Sequence, residues 1–147
     1  MYRDLKYRVW DNEKQEFFKP IYEASNGVLL DLSIGLKGDI IRRTLLHSAE
    51  HESCFQNRYV VQLFSGLKDK NGKEIFDGDI VSGYTTMDNK PVQAKSGKLV
   101  TFRNGCFCWG NEPLGWDFDA EEHPCEWPTE NWAVVIGNIF ENPELLK

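Results

Sequence analysis

The most informative hydrophobic pattern in this chain runs from Arg58 to Val81. There Tyr59, Val61 and Leu63 interleave with Val60, Gln62 and Phe64, which predicts a β-strand with apolar side chains on both faces, buried rather than at a sheet edge. Gly66 permits a tight departure. Asn71-Gly72, between Lys70 and Lys73, suits the positive backbone angles of a two-residue hairpin turn, with Glu74, Ile75 and Phe76 as the return arm. Asp77-Gly78 marks a second turn before Asp79-Ile80-Val81 opens another strand, so the segment reads as a compact antiparallel unit.

The same period appears elsewhere. Leu5, Tyr7 and Val9 alternate with Lys6, Arg8 and Trp10, Asp11-Asn12-Glu13 marks a turn, and Gln15 to Lys19 forms the return arm of an N-terminal hairpin. Val28 to Leu32 reads as a strand after Asn26-Gly27. Asp39 followed by Ile40, Ile41, Leu45 and Leu46 favours an N-capped helix over a strand, although Thr44 and the paired isoleucines pull the other way. Gly97 to Arg103 and Gly105 to Gly110 form a hairpin about Asn104-Gly105, and Trp132 to Phe140 is a late strand apolar on both faces. These join Asp79 to Tyr84 in one barrel-like sheet. Asn142-Pro143-Glu144 combines a capping side chain, a proline at the first helical position and an acid near the positive helix end, which predicts a short terminal helical turn. The class is mainly β, a small α+β protein of antiparallel sheets, in one domain over residues 1–147. Within it, 1–57 hold the N-terminal hairpin and a variable region, and 58–147 hold the barrel-like core.

Three motifs point to a family. G-L-K-D-K-N-G-K-E-I-F-D-G-D-I-V at Gly66 to Val81 and V-I-G-N-I-F-E-N-P-E-L-L at Val135 to Leu146 resemble the YopX family of phage and prophage proteins, and Tyr7-Arg8-Val9-Trp10-Asp11 resembles its opening. Ser25 to Asn57 carries no such likeness. The resemblance implies a small, mainly β protein with an SH3-like barrel element in the C-terminal half, encoded by a bacteriophage or an integrated prophage. It brings no activity that transfers residue by residue.

Composition narrows the setting. A chain of 147 residues suits one core, burying roughly 68–70% of its unfolded surface. No apolar run approaches the roughly 18 residues of a membrane span, and Met1 to Lys6 lacks the apolar stretch of a secretory signal. The expected place is the cytoplasm of the bacterial host, where the 4 cysteines stay reduced. Charge is uneven: residues 1–103 carry 16 basic and 14 acidic side chains, residues 104–147 carry 1 and 9. With Arg42-Arg43 as the sole adjacent basic pair, the chain is poorly built to neutralise phosphates, and no direct nucleic-acid binding is expected.

Several chemical motifs fail on spacing. Gly66 to Lys73 is not a phosphate loop: five residues separate Gly66 from Gly72 where four are needed, and Glu74 replaces the magnesium-binding Ser or Thr. Cys106 and Cys108 with His123 and Cys125 would make a Cys₃His zinc set of unusual spacing, but Cys-x-Cys on one strand face favours two small packed side chains. A disulfide between them is a poor fit, since their Cα atoms lie about 6.7 Å apart on an extended strand. His47, Glu50 and His51 match the inverted H-x-x-E-H zinc order on the predicted helix, yet no third ligand accompanies them and solvated surface residues are favoured. Asp117, Asp119, Glu121 and Glu122 lack the calcium-loop glycine, because Glu122 occupies the sixth position, and read as a solvated acidic loop rather than paired catalytic carboxylates.

Trp109 to Trp132 is the unusual stretch, interleaving Trp109, Trp116, Phe118, Trp127 and Trp132 with six acids from Glu112 to Glu126 and with Pro113, Pro124 and Pro128. Such a loop either completes its own core or serves a partner, for which Trp116, Asp117, Phe118, Asp119, Glu121, Glu122 and Trp127 are the candidate contacts. The expectation is a non-enzymatic interaction or assembly protein without cofactor, self-associating and able to meet a host or phage protein. The alternative is an acidic inhibitor that mimics nucleic acid before a basic host protein, and a metal-dependent enzyme is the least favoured.

Overall fold

Strands are the main regular element among the described residues. The computed structural model describes residues 5–87, 90–114 and 133–146, which divide into two compact units: Arg8–Val61, and Gln62–Lys147 together with Met1–Tyr7. Among the described residues there is no α-helix, only strands and short 3-10 turns, and no helix is long and apolar enough to cross a membrane.

In the first unit, β1 (Tyr7–Asp11) and β2 (Glu16–Phe17) form the expected N-terminal hairpin, with Trp10 opposite Phe17. The two rings meet edge-on at 5.1 Å. Asp11, 1% exposed, closes the turn: its Oδ1 accepts the N–H groups of Glu13 at 2.9 Å and Lys14 at 3.2 Å, while its Oδ2 accepts Arg58 Nη2 at 3.1 Å. Burial opposes ionisation of Asp11, but the Arg58 hydrogen bond, the two N–H donors and the guanidinium charge outweigh it, leaving its pKa below the ordinary 3.8. Stability from this carboxylate is therefore complete above 3.8 and lost as the pH falls below that value through the lower folded pKa. Asp11→Asn should lower the urea midpoint at neutral pH, and the gap to the natural chain should narrow on acidification to about pH 3.

Four further strands, β3 (Ile21–Glu23), β4 (Val28–Ile34), β5 (Ile40–Thr44) and β6 (Glu50–His51), make an antiparallel sheet in that sequential order. The strand expected from Val28 is β4. The helix expected from Asp39 is not formed. β-branched Ile40, Ile41 and Thr44 extend the backbone instead, and the register places Arg42 opposite Glu50, whose side chains pair at 2.9 Å. Leu45 and Leu46, which gave the apparent helical spacing, are 48% and 90% exposed in the turn that follows β5. The core of this unit gathers Val9, Leu32, Ile40 and Tyr59, with Phe18, Phe55 and Val61 against them.

The second unit begins within β7 (Tyr59–Lys68), which crosses the boundary at Val61. This strand is only half-buried, with Tyr59 and Gln62 buried and Leu63 44% exposed, so apolar residues on both faces do not bury both faces here. Gly66 does not end it. The chain passes through a bulge at Gly66, φ +90°, where Ser65 Oγ donates to the Ile75 carbonyl and accepts the Leu67 N–H, and β7 then pairs with β8 (Glu74–Phe76).

A five-stranded antiparallel sheet, curled into a half-barrel, follows from β9 (Asp79–Ser82), β12 (Lys98–Arg103), β13 (Cys106–Trp109), β14 (Glu112–Pro113) and β15 (Val134–Asn138), in the order β14-β13-β12-β9-β15. Between β9 and β12 lies a separate hairpin, β10 (Tyr84–Met87) with β11 (Lys90–Gln93). The strands expected about Asn104-Gly105 and near the C-terminus thus join the strand from Asp79 in one sheet. Asn104 and Gly105 both adopt positive φ, 51° and 82°, as the tight hairpin requires. Ile75, Val81, Val100, Leu114, Ala133 and Val135 form the core under it, and Trp109 Nε1 donates to the Val81 carbonyl at 2.8 Å. The chain closes with a 3-10 turn at Pro143–Leu145, but Asn142 makes no side-chain cap; proline at the start suffices to set it.

Candidate functional site

The two long motifs meet inside the second unit, and two acids of the first, Asp69 and Asp79, are buried there. Asp69, 5% exposed, accepts the N–H groups of Asn71 and Lys73 on Oδ1 at 2.9 Å each, and that of Val135 on Oδ2 at 3.0 Å. The carboxylate therefore shapes its own turn and ties it to β15. It also widens the turn: Lys68 pairs with Glu74, leaving five residues between, and of Asn71-Gly72 only Gly72 takes a positive φ, +82°. The two-residue turn expected there is replaced because a buried aspartate one position before Lys70 offers acceptors that a free hairpin lacks.

Asp79, 1% exposed, accepts the Phe76 N–H at 2.8 Å on one oxygen and Asn138 Nδ2 at 3.3 Å on the other. Asn138, 2% exposed, also donates to Gln62 Oε1 at 3.1 Å and accepts the Phe140 N–H at 3.0 Å. Asp77 accepts the Phe102 N–H at 3.2 Å. Burial, reinforced by the charge of Asp79, raises the Asp77 pKa above 3.8 against the N–H groups of Phe102 and Gly78. Asp69, Asp79 and Asn138 are thus parts of the scaffold: Asp69 is bonded to backbone, and Asp79 and Asn138 to backbone and to each other.

The inverted zinc order at His47, Glu50 and His51 is taken apart by the strands. His47 lies in the turn after β5, its N–H bonded to Thr44 Oγ1, while Glu50 and His51 are the two residues of β6. Arg42 holds Glu50 ionised, lowering its pKa by hydrogen bond and charge against a small desolvation, which removes its use as a general base. His51 stands 3.7 Å from Asp39 through Nε2 and 3.1 Å from Ser53 Oγ through Nδ1. That line of carboxylate, imidazole and hydroxyl is local: Nδ1 also accepts the Ser53 N–H at 3.2 Å, so the imidazole caps the 3-10 turn Glu52–Cys54. A cleft of about 400 Å³ opens beside it between His51, Ser53, Phe55, Gln56 and Tyr59, with the Glu52 carboxylate engaged by the Ile40 N–H at 2.8 Å.

Cys106 and Cys108 share one face of β13, with their sulfurs 3.7 Å apart. The hydrogen bond to Cys108, then burial and the second thiol's charge, push the Cys106 pKa above 9.0 against the pull of Arg103. His123 and Cys125 lie outside the described residues. So do Trp116, Asp117, Phe118, Asp119, Glu121, Glu122 and Trp127, the candidate partner contacts. Among the described residues no group of three or more His, Cys, Asp or Glu is placed to hold a metal ion.

The network about Asp69, Asp79, Gln62 and Asn138 was not foreseen from sequence. Aspartates beside Asn-Gly and Gly read as solvated turn residues, and the available signal was the recurrence of Asp next to each turn, at Asp69, Asp77 and Asp79.

Comparison with known proteins agrees with this placement of the motifs. The YopX protein family model matches residues 6–147. The chain is 28% identical to protein EF1440 from Enterococcus faecalis, whose crystal structure superposes with a TM-score of 0.53 over 97% of this chain and 98% of that one. No curated protein matches it. Because the match runs through all three motifs and across nearly the whole length, the chain belongs to the YopX family, a family of phage and prophage proteins.

Proposed function

We propose that this protein is a phage-encoded, non-enzymatic interaction or assembly protein that acts in the bacterial host cytoplasm through the acidic aromatic stretch between Trp109 and Trp132. One observation carries this: the two buried acids of the shared motifs, Asp69 and Asp79, are engaged as acceptors of backbone N–H groups and so serve the scaffold. The acidic excess lies mostly between the two motifs, since seven of the 9 acids of residues 104–147 fall from Glu112 to Glu130 with no Lys or Arg among them, and the aromatics there suit a protein contact. Exposed apolar side chains such as Leu36, Leu46, Tyr22 and Phe102 add surface for self-association.

Light scattering across a concentration series is expected to show an oligomer; a monomer at the highest concentrations removes self-association. A second reading, an acidic mimic of nucleic acid, is favoured by the same charge excess. Its test is capture from host lysate by the natural chain and by a variant with Asp117, Asp119, Glu121 and Glu122 reversed to lysine. Retention of nucleic-acid-binding proteins by the natural chain alone supports mimicry. Equal retention by both chains, or none by either, removes it.

A further inference from the structure

We propose that Cys106 and Cys108 form a two-thiolate site for a thiophilic divalent cation, with zinc(II) as the natural one. The two residues are two apart on β13, so both side chains leave the same face of the sheet, and their sulfurs stand 3.7 Å apart. Zinc–sulfur bonds of about 2.3 Å at the tetrahedral angle place two sulfurs about 3.8 Å apart. The pair therefore already has the spacing of one edge of a zinc tetrahedron. The same spacing far exceeds a disulfide bond of about 2.05 Å, and residues two apart on an extended strand are poorly placed to close one, so chelation is favoured over oxidation.

The sheet holds this edge in place. Cys108 lies opposite Thr101 and Cys106 opposite Arg103 in the β12–β13 register, next to the tight turn at Asn104-Gly105. Cys108 is 5% exposed and fixed by packing, whereas Cys106 is half-buried and gives the cation its entry. Binding is an exchange: each thiol releases its proton to solvent and its sulfur lone pair goes to the metal, so one divalent cation replaces two protons. With no third His, Cys, Asp or Glu grouped with the pair among the described residues, the strand supplies two of the four tetrahedral positions. This site is independent of the contacts proposed for the acidic stretch.

The test uses the full chain purified without a His tag and titrated with cadmium(II), followed by the ultraviolet charge-transfer band of cadmium thiolate. Zinc(II) is then added as competitor. One cadmium per chain, displaced by zinc, is expected. Cys106→Ser should weaken binding by more than about tenfold, while Cys54→Ser, at an exposed thiol elsewhere, should leave it unchanged. Cys108→Ser alters a buried position, so circular dichroism accompanies it, and the half-buried Cys106→Ser decides the matter if it does not fold. Absence of the band in the natural chain, or a band of equal strength and affinity in Cys106→Ser, overturns the proposal.

Discussion

Replacing Asp69 by alanine is expected to lower the unfolding free energy by about 3–4 kcal/mol, among the largest effects of any single change in the second unit. The side chain is 5% exposed and serves three backbone N–H groups, those of Asn71, Lys73 and Val135. Alanine leaves all three without that acceptor, and a buried donor stripped of its partner costs about 1–3 kcal/mol. The change also removes the side-chain tie from the turn to β15, leaving the bond from the Lys70 N–H to the Ala133 carbonyl. Asp69→Asn keeps one carbonyl oxygen and should lose roughly half as much. Urea unfolding with an unchanged slope reads the difference directly, whereas Asp69→Ala within about 0.5 kcal/mol of the natural chain would show that the turn holds itself.

Gly78→Ala should cost about 2–4 kcal/mol, for two separable reasons. Gly78 has φ +84°, where a side chain is strained by about 1–2 kcal/mol. In addition, a Cβ there would stand 1.9 Å from Gln62 Nε2, and Gln62 is 3% exposed and bonded to Asn138. The amide must move, leaving buried polar groups unpaired. Gly72→Ala separates the terms, because Gly72 has φ +82° with nothing within 4 Å of a Cβ. It should lose only the backbone part, about 1–2 kcal/mol. Equal losses at the two glycines would mean that Gln62 yields freely.

Much of the sheet was legible because strand signals are local. Asn104-Gly105 admits the positive φ values of a tight turn, and the β-branched runs about Ile80 and Val135 have the composition of strands that pack a core. The segment after Asp39 misled because Ile40, Ile41, Leu45 and Leu46 mimic a helical face, while the strand is set by pairing with residues eight and ten positions on, Arg42 with Glu50 and Ile41 with His51. Such pairings depend on the register of two strands, which periodicity in one strand does not carry. The width of the turn at Asn71-Gly72 was hidden for a related reason: a buried Asp69 requires Val135, sixty-six residues away, as its third donor. Exposure along β7 was hidden as well, since Leu63 looks like a core residue until its neighbours are known.

For the candidate sites, spacing served better as a veto than as a guide. Gly66 to Lys73 is a bulge and a hairpin turn, in keeping with its failure as a phosphate loop. The His47, Glu50 and His51 set dissolves once the helix is replaced by β5, a turn and β6. The sulfur spacing of Cys106 and Cys108 depends on side-chain conformation, which no spacing in the sequence reveals.

The YopX motifs are joined by buried polar contacts that serve the scaffold. A double-mutant cycle between Asp79→Ala and Asn138→Ala, measured by urea unfolding, tests this, because these side chains come one from each long motif and meet at 3.3 Å. A coupling of about 1–2 kcal/mol is expected, and additivity within about 0.5 kcal/mol would show that the two motifs are not joined there.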